Sequence, residues 1–589
     1  MAWLAGSIAW GVCVGLLVAG IRGTAFRRED LPYWLLGAAV LLLCLVLVLD
    51  PSRGYTFVVD DAYYYLQIAR NVDVRGLVSF DGIHETNGFH PLWLCMLVVL
   101  HRAVPAGDAE FVTAAQLAAL LLAAGGIVWL RLLLSPLAGS AARVMGLLVL
   151  FNPWALSRFW LSGMESAVAV LILLAFLEGW RRLCDSRDFG LLLRTSLLGG
   201  LACLARFDLV LLVFPALILL AWRWMLDVGL PGSGGKAPGR AGPASAPRRL
   251  IEIASPSEAA TVETNGERAR SERPSRAVAV RRLLGGALAC SIPVGAWLVW
   301  NLARFGTVST VSSHVKTAVY PMSLVDRFDN LCLVLPSLKF LVDVSVLRVL
   351  SPLALAAVAW AAWRLGRSVA PGAARSAYRF LAVIACIHYL AVRGGVAESY
   401  SWYYLIETLL AAHVAAMAVQ RLTGLVPRAN GLARAVVAAA AVISGLLVRD
   451  LVRGEPVLFV SRAIQSEGRT AAEWIREHTP PDAVVASWDA GILGYFAHRP
   501  VINLDGLAND WEYVGVMKNR AWNDYLERSG VGYVANWFFV LEDSRLWRQR
   551  IGMAEVLPTL RLEYRGREVP FLRLPVAVAV FRRSSGEER

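Results

Sequence analysis

Charge is scarce in this chain. Lys, Arg, Asp and Glu make up 17% of its 589 residues, against about a quarter in a soluble domain. Acids are the rarer sign, and the formal net charge is +13. Eight cysteines (Cys13, Cys44, Cys95, Cys184, Cys203, Cys290, Cys332 and Cys386) lie mostly in or beside apolar runs. None has paired spacing, which argues against a disulfide or metal framework and for small buried hydrophobes. Within 449–589 no glycine-rich phosphate loop opens a helix, so nucleotide binding there is unsupported. No repeat relates the two halves, which counts against an inverted-repeat transporter. No basic, cleavable leader is present, and Met1 to Gly20 reads as a first membrane helix.

What is abundant is apolar surface, 57% of residues. A spanning helix needs about 20 apolar residues. Candidates are 3–21, 32–49, 111–130, 141–157, 161–179, 189–205, 209–226, 283–301, 345–363, 378–392, 403–420 and 434–448. The chain is a polytopic α-helical membrane protein with about 11–13 spans, and the excess of base is the positive-inside signal of its loops rather than a nucleic-acid footprint. Arg22, Arg27, Arg28, Arg131, Arg143, Arg181, Arg182, Arg187, Arg364, Arg367, Arg375, Arg421, Arg428 and Arg434 mark inside loops. The assignments agree if 91–104, short for a span, does not cross. The 50–110 loop, 162–165, 206–208, 302–344, 394–402 and everything after about 449 then share the outer face.

The membrane domain is expected over 1–448 and a separate unit over 449–589. Residues 227–282, rich in Gly, Pro, Ala, Ser and charge, read as a flexible cytoplasmic linker. The C-terminal unit alternates a helix at 467–478, a strand at 483–487, a helix near 490–497, a strand at 500–504, a helix at 514–528 and a strand at 531–535. It is read as an extracytoplasmic α/β domain large enough for its own core.

Chemistry concentrates at helix ends. Asp60 and Asp61 stand side by side before Tyr63, Tyr64 and Tyr65. One acid would suffice as a helix cap; a second points to a general base or a cation ligand. His84, Glu85, Asn87 and His90 crowd into seven residues around an Asn-Gly turn that ends at Pro91. The histidines are suited to donate to phosphate or sugar oxygens, beyond the turn's need. Glu165 opens a helix, where the dipole favours an acid. Arg206 and Asp208 interrupt two apolar runs, as a salt bridge or a phosphate-binding arginine. Lys316 reads as a phosphate ligand or a snorkelling anchor. The aromatic stretch Glu398 to Tyr404, with Tyr403, reads as an interfacial belt or a sugar-stacking surface.

Taken together, these motifs resemble the GT-C superfamily of integral-membrane glycosyltransferases, which includes protein O-mannosyltransferases, the lipid A aminoarabinose transferase and mycobacterial arabinofuranosyltransferases. The arabinofuranosyltransferase branch looks closest. Asp60-Asp61 matches its acidic motif, Thr86-Asn87-Gly88-Phe89-His90-Pro91-Leu92-Trp93 its Thr-Asn-x-x-Pro-Leu-Trp-like run, and Ser162-Gly163-Met164-Glu165 its second acidic motif. Phe305-Gly306 before Lys316, and Asn503-Leu504-Asp505-Gly506-Leu507, resemble later elements. The extra helix before residue 22 departs from the pattern.

The resemblance implies a glycosyltransferase in the inner (plasma) membrane, active toward the exterior. It would move a pentosyl or hexosyl unit from a polyprenyl-phosphate donor to an envelope glycan, lipid or protein, with inversion. Asp60 or Asp61 would be the base, with Asp60 favoured by position. Arg206, Lys316 and a histidine would hold the phosphate, and Tyr64, Glu85, Asn87, Glu165 and Tyr403 would line the substrate. No cofactor is required on this reading, with a divalent cation as an option. The competing readings are a flippase of lipid-linked sugars and a non-catalytic assembly subunit.

Overall fold

The computed structural model describes residues 2–24, 26–50, 54–104, 107–137, 139–229, 275–319, 356–365, 372–395, 403–425, 429–453, 462–537, 560–571 and 574–583. Most of the linker, the 320–344 part of the 302–344 loop, the start of the 345–363 segment and the 398–402 part of the aromatic stretch lie outside them.

Among the described residues, seven helices are long and apolar enough to cross a membrane: Ala2–Gly23, Arg28–Leu49, Asp108–Leu133, Phe207–Leu226, Arg276–Phe305, Leu405–Thr423 and Gly431–Arg449. Four shorter apolar helices accompany them, including Pro91–Ala103. This is a multi-pass membrane protein. Helix Ser166–Leu183 is buried along nearly its whole length, as a helix apolar on all faces at the centre of a bundle must be.

Three expectations change. The segment 141–157 is not one helix: Ser140–Leu150 ends, Asn152 caps a new turn through its side chain, and Pro153 takes the first position. Proline cannot continue a helix hydrogen-bonded across it, but fits a first turn. The linker's last residues belong to a helix, since Arg276–Phe305 begins with a Ser275 cap. The segment 514–528 is two helices, Trp511–Asn519 and Trp522–Arg528, broken at Arg520 with φ 56°. The break lets Trp522, Tyr525 and Leu526 return to the core that Tyr513 and Val514 enter.

The C-terminal unit is a mixed sheet of β1 (Val484–Ser487), β2 (Val501–Asn503), β3 (Val531–Trp537), β4 (Leu560–Arg565) and β7 (Val578–Arg583), in the order β2-β1-β3-β7-β4. β2, β1 and β3 are parallel, β7 pairs antiparallel with β3, and β4 forms the antiparallel edge beyond it. A separate hairpin joins β5 (Val569–Phe571) and β6 (Leu574–Val576).

Helix Asp60–Arg75 is the seam between this unit and the bundle. Gly76, left-handed at φ 69°, ends it, the conformation that glycine supplies most cheaply. Its Tyr63 ring packs 5.4 Å from Tyr495 and 5.6 Å from Phe496. The backbones meet so closely that a Cβ on Gly491 would lie 2.0 Å from the Asp60 carbonyl oxygen, and one on Gly88 1.9 Å from that of Leu507. Gly491→Ala is therefore expected to lose about 1–3 kcal/mol of stability. The roughly 1 kcal/mol of helix propensity that alanine adds falls short of that cost. Thermal unfolding of the purified variant checks it.

Candidate active site

The first turn of helix Asp60–Arg75 sends its two carboxylates to different places. Asp60 Oδ2 and Oδ1 accept hydrogen bonds from the N–H groups of Gly491 (2.9 Å) and Ile492 (2.8 Å). It thus caps the start of helix Gly491–Phe496 from across the seam. Asp61 instead lines a cavity of about 70 Å³ with Tyr64, Tyr65, His90, Glu165, Arg206, Phe207, Lys316, Tyr403 and Leu507. Successive helix positions are rotated by about 100°, so adjacent acids serve two neighbourhoods.

Tyr64 joins both. Its hydroxyl accepts from Ala490 N (3.1 Å) and Asn503 Nδ2 (3.0 Å) and donates to Asp505 Oδ2 (3.1 Å). Asp505 also accepts from Asn503 Nδ2 (3.1 Å) and Asp489 N (3.1 Å). Burial raises the titration of both Asp60 and Asp505 above the ordinary carboxylate range. The hydrogen bonds to each oppose that rise, and like charge adds to it, from Asp61 on Asp60 and from Asp60 and Asp61 on Asp505.

The raised values give the junction a pH dependence. Between the ordinary carboxylate value near 3.9 and the raised values, the folded state binds more protons than the unfolded chain. Stability therefore falls as pH rises through that window and is greatest at its lower end. Thermal unfolding is expected to move to lower temperature between pH 5 and neutrality. Asp505→Asn is expected to flatten the curve, and a midpoint that climbs with pH would contradict this.

The same cavity is lined by two cations, Arg206 and Lys316. Arg206 is 1% exposed and donates from Nη1 to Glu165 Oε1 at 2.7 Å. From Nε and Nη2 it donates to the two oxygens of Asp208 at 3.1 and 3.0 Å. Lys316 Nζ donates to the Tyr403 hydroxyl at 2.9 Å. The Arg206 guanidinium also lies 5.1 Å from the centre of the Tyr403 ring, within cation–π range. His90 Nε2 is 3.8 Å from Glu165 Oε1, and its ring packs 4.6 Å from Phe207. Burial, the largest influence, lowers the His90 pKa, with Glu165 opposing, so the ring is neutral at pH 7. The Ser162-Gly163-Met164-Glu165 segment is pinned by Trp93 Nε1 donating to the Gly163 carbonyl (3.0 Å) and by Val59 N donating to that of Ser162 (3.0 Å).

Of the residues singled out in the sequence, Asp61, Tyr64, His90, Glu165, Arg206, Lys316 and Tyr403 meet at the cavity. The others lie elsewhere. His84 Nδ1 pairs with Asp81 Oδ2 at 2.7 Å. Glu85 pairs with Arg304. Asn87 is a buried brace, donating to Asn301 Oδ1 and the Ser309 carbonyl (both 3.0 Å) and accepting from Val311 N (2.8 Å). The cavity also includes Tyr65, whose hydroxyl accepts from His90 N (3.1 Å). Phe207 and Leu507, each within a motif noticed for another residue, line it too, as does Ser312. Among the described residues no three His, Cys, Asp or Glu side chains converge as a metal set. Glu165 is paired with Arg206 and Asp60 accepts from backbone donors, while Asp61 lines the cavity itself.

The architecture has a counterpart among solved structures. ArnT from Cupriavidus metallidurans, in a crystal structure bound to undecaprenyl phosphate, aligns with a TM-score of 0.50 and 14% identity. The alignment covers 93% of this chain and 98% of that one. The chain has a GT-C fold. The apo structure of the same ArnT aligns at TM-score 0.48, also with 14% identity over 93% and 98% of the two chains. The Archaeoglobus fulgidus oligosaccharyltransferase, in complex with zinc and sulfate, aligns at 0.40 with 14% identity over 88% and 70%. A family model described as a domain of unknown function, DUF8728, matches residues 459–571 of this chain. No curated protein matches it.

Proposed function

We propose that this GT-C membrane protein is a glycosyltransferase that moves a sugar from a polyprenyl-phosphate donor to a hydroxyl of an envelope glycan, lipid or protein. The observation that carries this reading is the cavity, whose lining brings the Asp61 carboxylate together with the buried Arg206 and with Lys316, both cations in contact with Tyr403. Asp61 takes the acceptor's hydroxyl proton, the oxygen attacks the anomeric carbon, and the bond from that carbon to the phosphate oxygen breaks. Attack from the face opposite the phosphate inverts the centre. The charge that develops on the departing phosphate falls to Arg206 and Lys316, fixed donors that need little reorganisation in a water-poor site. Glu165 holds Arg206, and the neutral His90 offers a further hydrogen bond. No divalent cation is invoked. The site works on the outer face of the inner membrane, and the mixed-sheet unit, reaching the cavity through Leu507, closes its acceptor side.

Identification of the lipid that co-purifies with the protein tests the reading. Mass spectrometry is expected to find a polyprenyl phosphate or its glycosylated form, reduced in Arg206→Ala. Recovery of bulk phospholipids alone, from wild type and variant equally, would count against it.

A further inference from the structure

Behind Arg206 lies a second set of buried ionisable groups that the proposed chemistry does not touch. Asp208, which grips the Arg206 fork with both oxygens, also faces His388 Nε2 through Oδ2 at 3.2 Å. The other ring nitrogen of His388, Nδ1, lies 2.8 Å from Glu407 Oε1. His388 is fully buried and Glu407 nearly so. The chain of contacts Glu165–Arg206–Asp208–His388–Glu407 gathers residues from four stretches of the sequence: Glu165, the Arg206–Asp208 junction, and the helices that carry His388 and Glu407.

Two features of this chain define what His388 does. Ionised carboxylates only accept hydrogen bonds, so a ring that meets one at each nitrogen donates from both and is an imidazolium. Arg206 alone faces two carboxylates, Glu165 and Asp208, which together would over-neutralise its single charge. An imidazolium on the far side of Asp208 takes up part of that carboxylate's charge. The guanidinium keeps its orientation from the bidentate pair and retains positive potential toward the cavity.

We propose that His388 is a positioning residue: as an imidazolium held between Asp208 and Glu407, it fixes the Arg206 fork and preserves its charge for the phosphate of a lipid-linked donor. The proposal rests on the functional reading above. His388 touches no substrate and acts through Asp208.

A double-mutant cycle on the full-length protein in lipid nanodiscs tests it, with undecaprenyl phosphate as the titrated probe. His388→Gln is expected to weaken probe affinity about tenfold in the wild-type background and less than about twofold in Arg206→Lys, where no fork remains to be aligned. A residue that merely supports the bundle would weaken binding by the same factor in both backgrounds. Equal factors, or no change in either, overturn the proposal. Should His388→Gln not fold, Glu407→Gln, which strips one carboxylate from the ring, carries the same cycle with an expected factor of about three against about one. Failure of the wild type to bind the probe overturns the functional reading itself. Binding by the wild type without coupling overturns only the role of His388.

Discussion

Asp61→Asn is expected to lower the rate of sugar transfer by about 10²–10⁴-fold, the usual contribution of a positioned general base. It should leave the fold and donor affinity nearly intact. Asparagine matches the carboxylate in shape but cannot take up the acceptor's proton. The neighbouring substitution is expected to behave in the opposite way. Asp60→Ala strips the acceptors from Gly491 N and Ile492 N, and buried donors left unpaired cost about 1–3 kcal/mol each. Its main signature is a lower unfolding temperature, with turnover per folded molecule much less affected. Parallel measurement of kcat and thermal midpoint separates the two. Normal turnover in Asp61→Asn beside abolished turnover in a stable Asp60 variant would exchange their roles.

Arg206→Ala is expected to be damaging twice over. Removal of the guanidinium leaves the buried Glu165 and the partly buried Asp208 without their shared partner, and breaking a buried pair in this way typically costs about 3–5 kcal/mol. The developing phosphate charge also loses a fixed donor, worth about 10²–10³-fold in rate. Arg206→Lys separates these effects. It restores a charge between the carboxylates but cannot grip Asp208 with two parallel bonds. Most of the stability is expected to return while kcat/KM stays depressed, as thermal unfolding and steady-state kinetics would show. Full recovery of both would mean that charge alone, and not the fork, is what the site requires.

The readable parts of this molecule are those governed by local patterns. Apolar runs of about 20 residues located the helices, because the bilayer demands that length. Asn152-Pro153 was the clue to the break in the 141–157 segment, and apolar content outweighed it. The parallel strands of the C-terminal unit were legible, whereas β4 and β7 depend on partners that the local pattern does not name. The site divides along the same line. Motifs at helix ends marked Asp61, His90, Glu165, Arg206 and Lys316, which meet at one cavity. The acidic pair could not be resolved in sequence, since the acceptor role of Asp60 depends on a helix that begins 431 residues later. His388 and Glu407 sit in apolar helices and gave no signal. The contact of His388 with Asp208 spans 180 residues and exists only in the packed bundle.

Turnover by purified protein in nanodiscs, supplied with a radiolabelled polyprenyl-phosphate sugar and an envelope acceptor extract, tests the central claim most directly. Wild type is expected to release polyprenyl phosphate and a glycosylated acceptor in equal amounts, and Asp61→Asn to release neither. Movement of the labelled lipid between leaflets with its sugar bond intact, or equal turnover in the wild type and Asp61→Asn, would contradict the account.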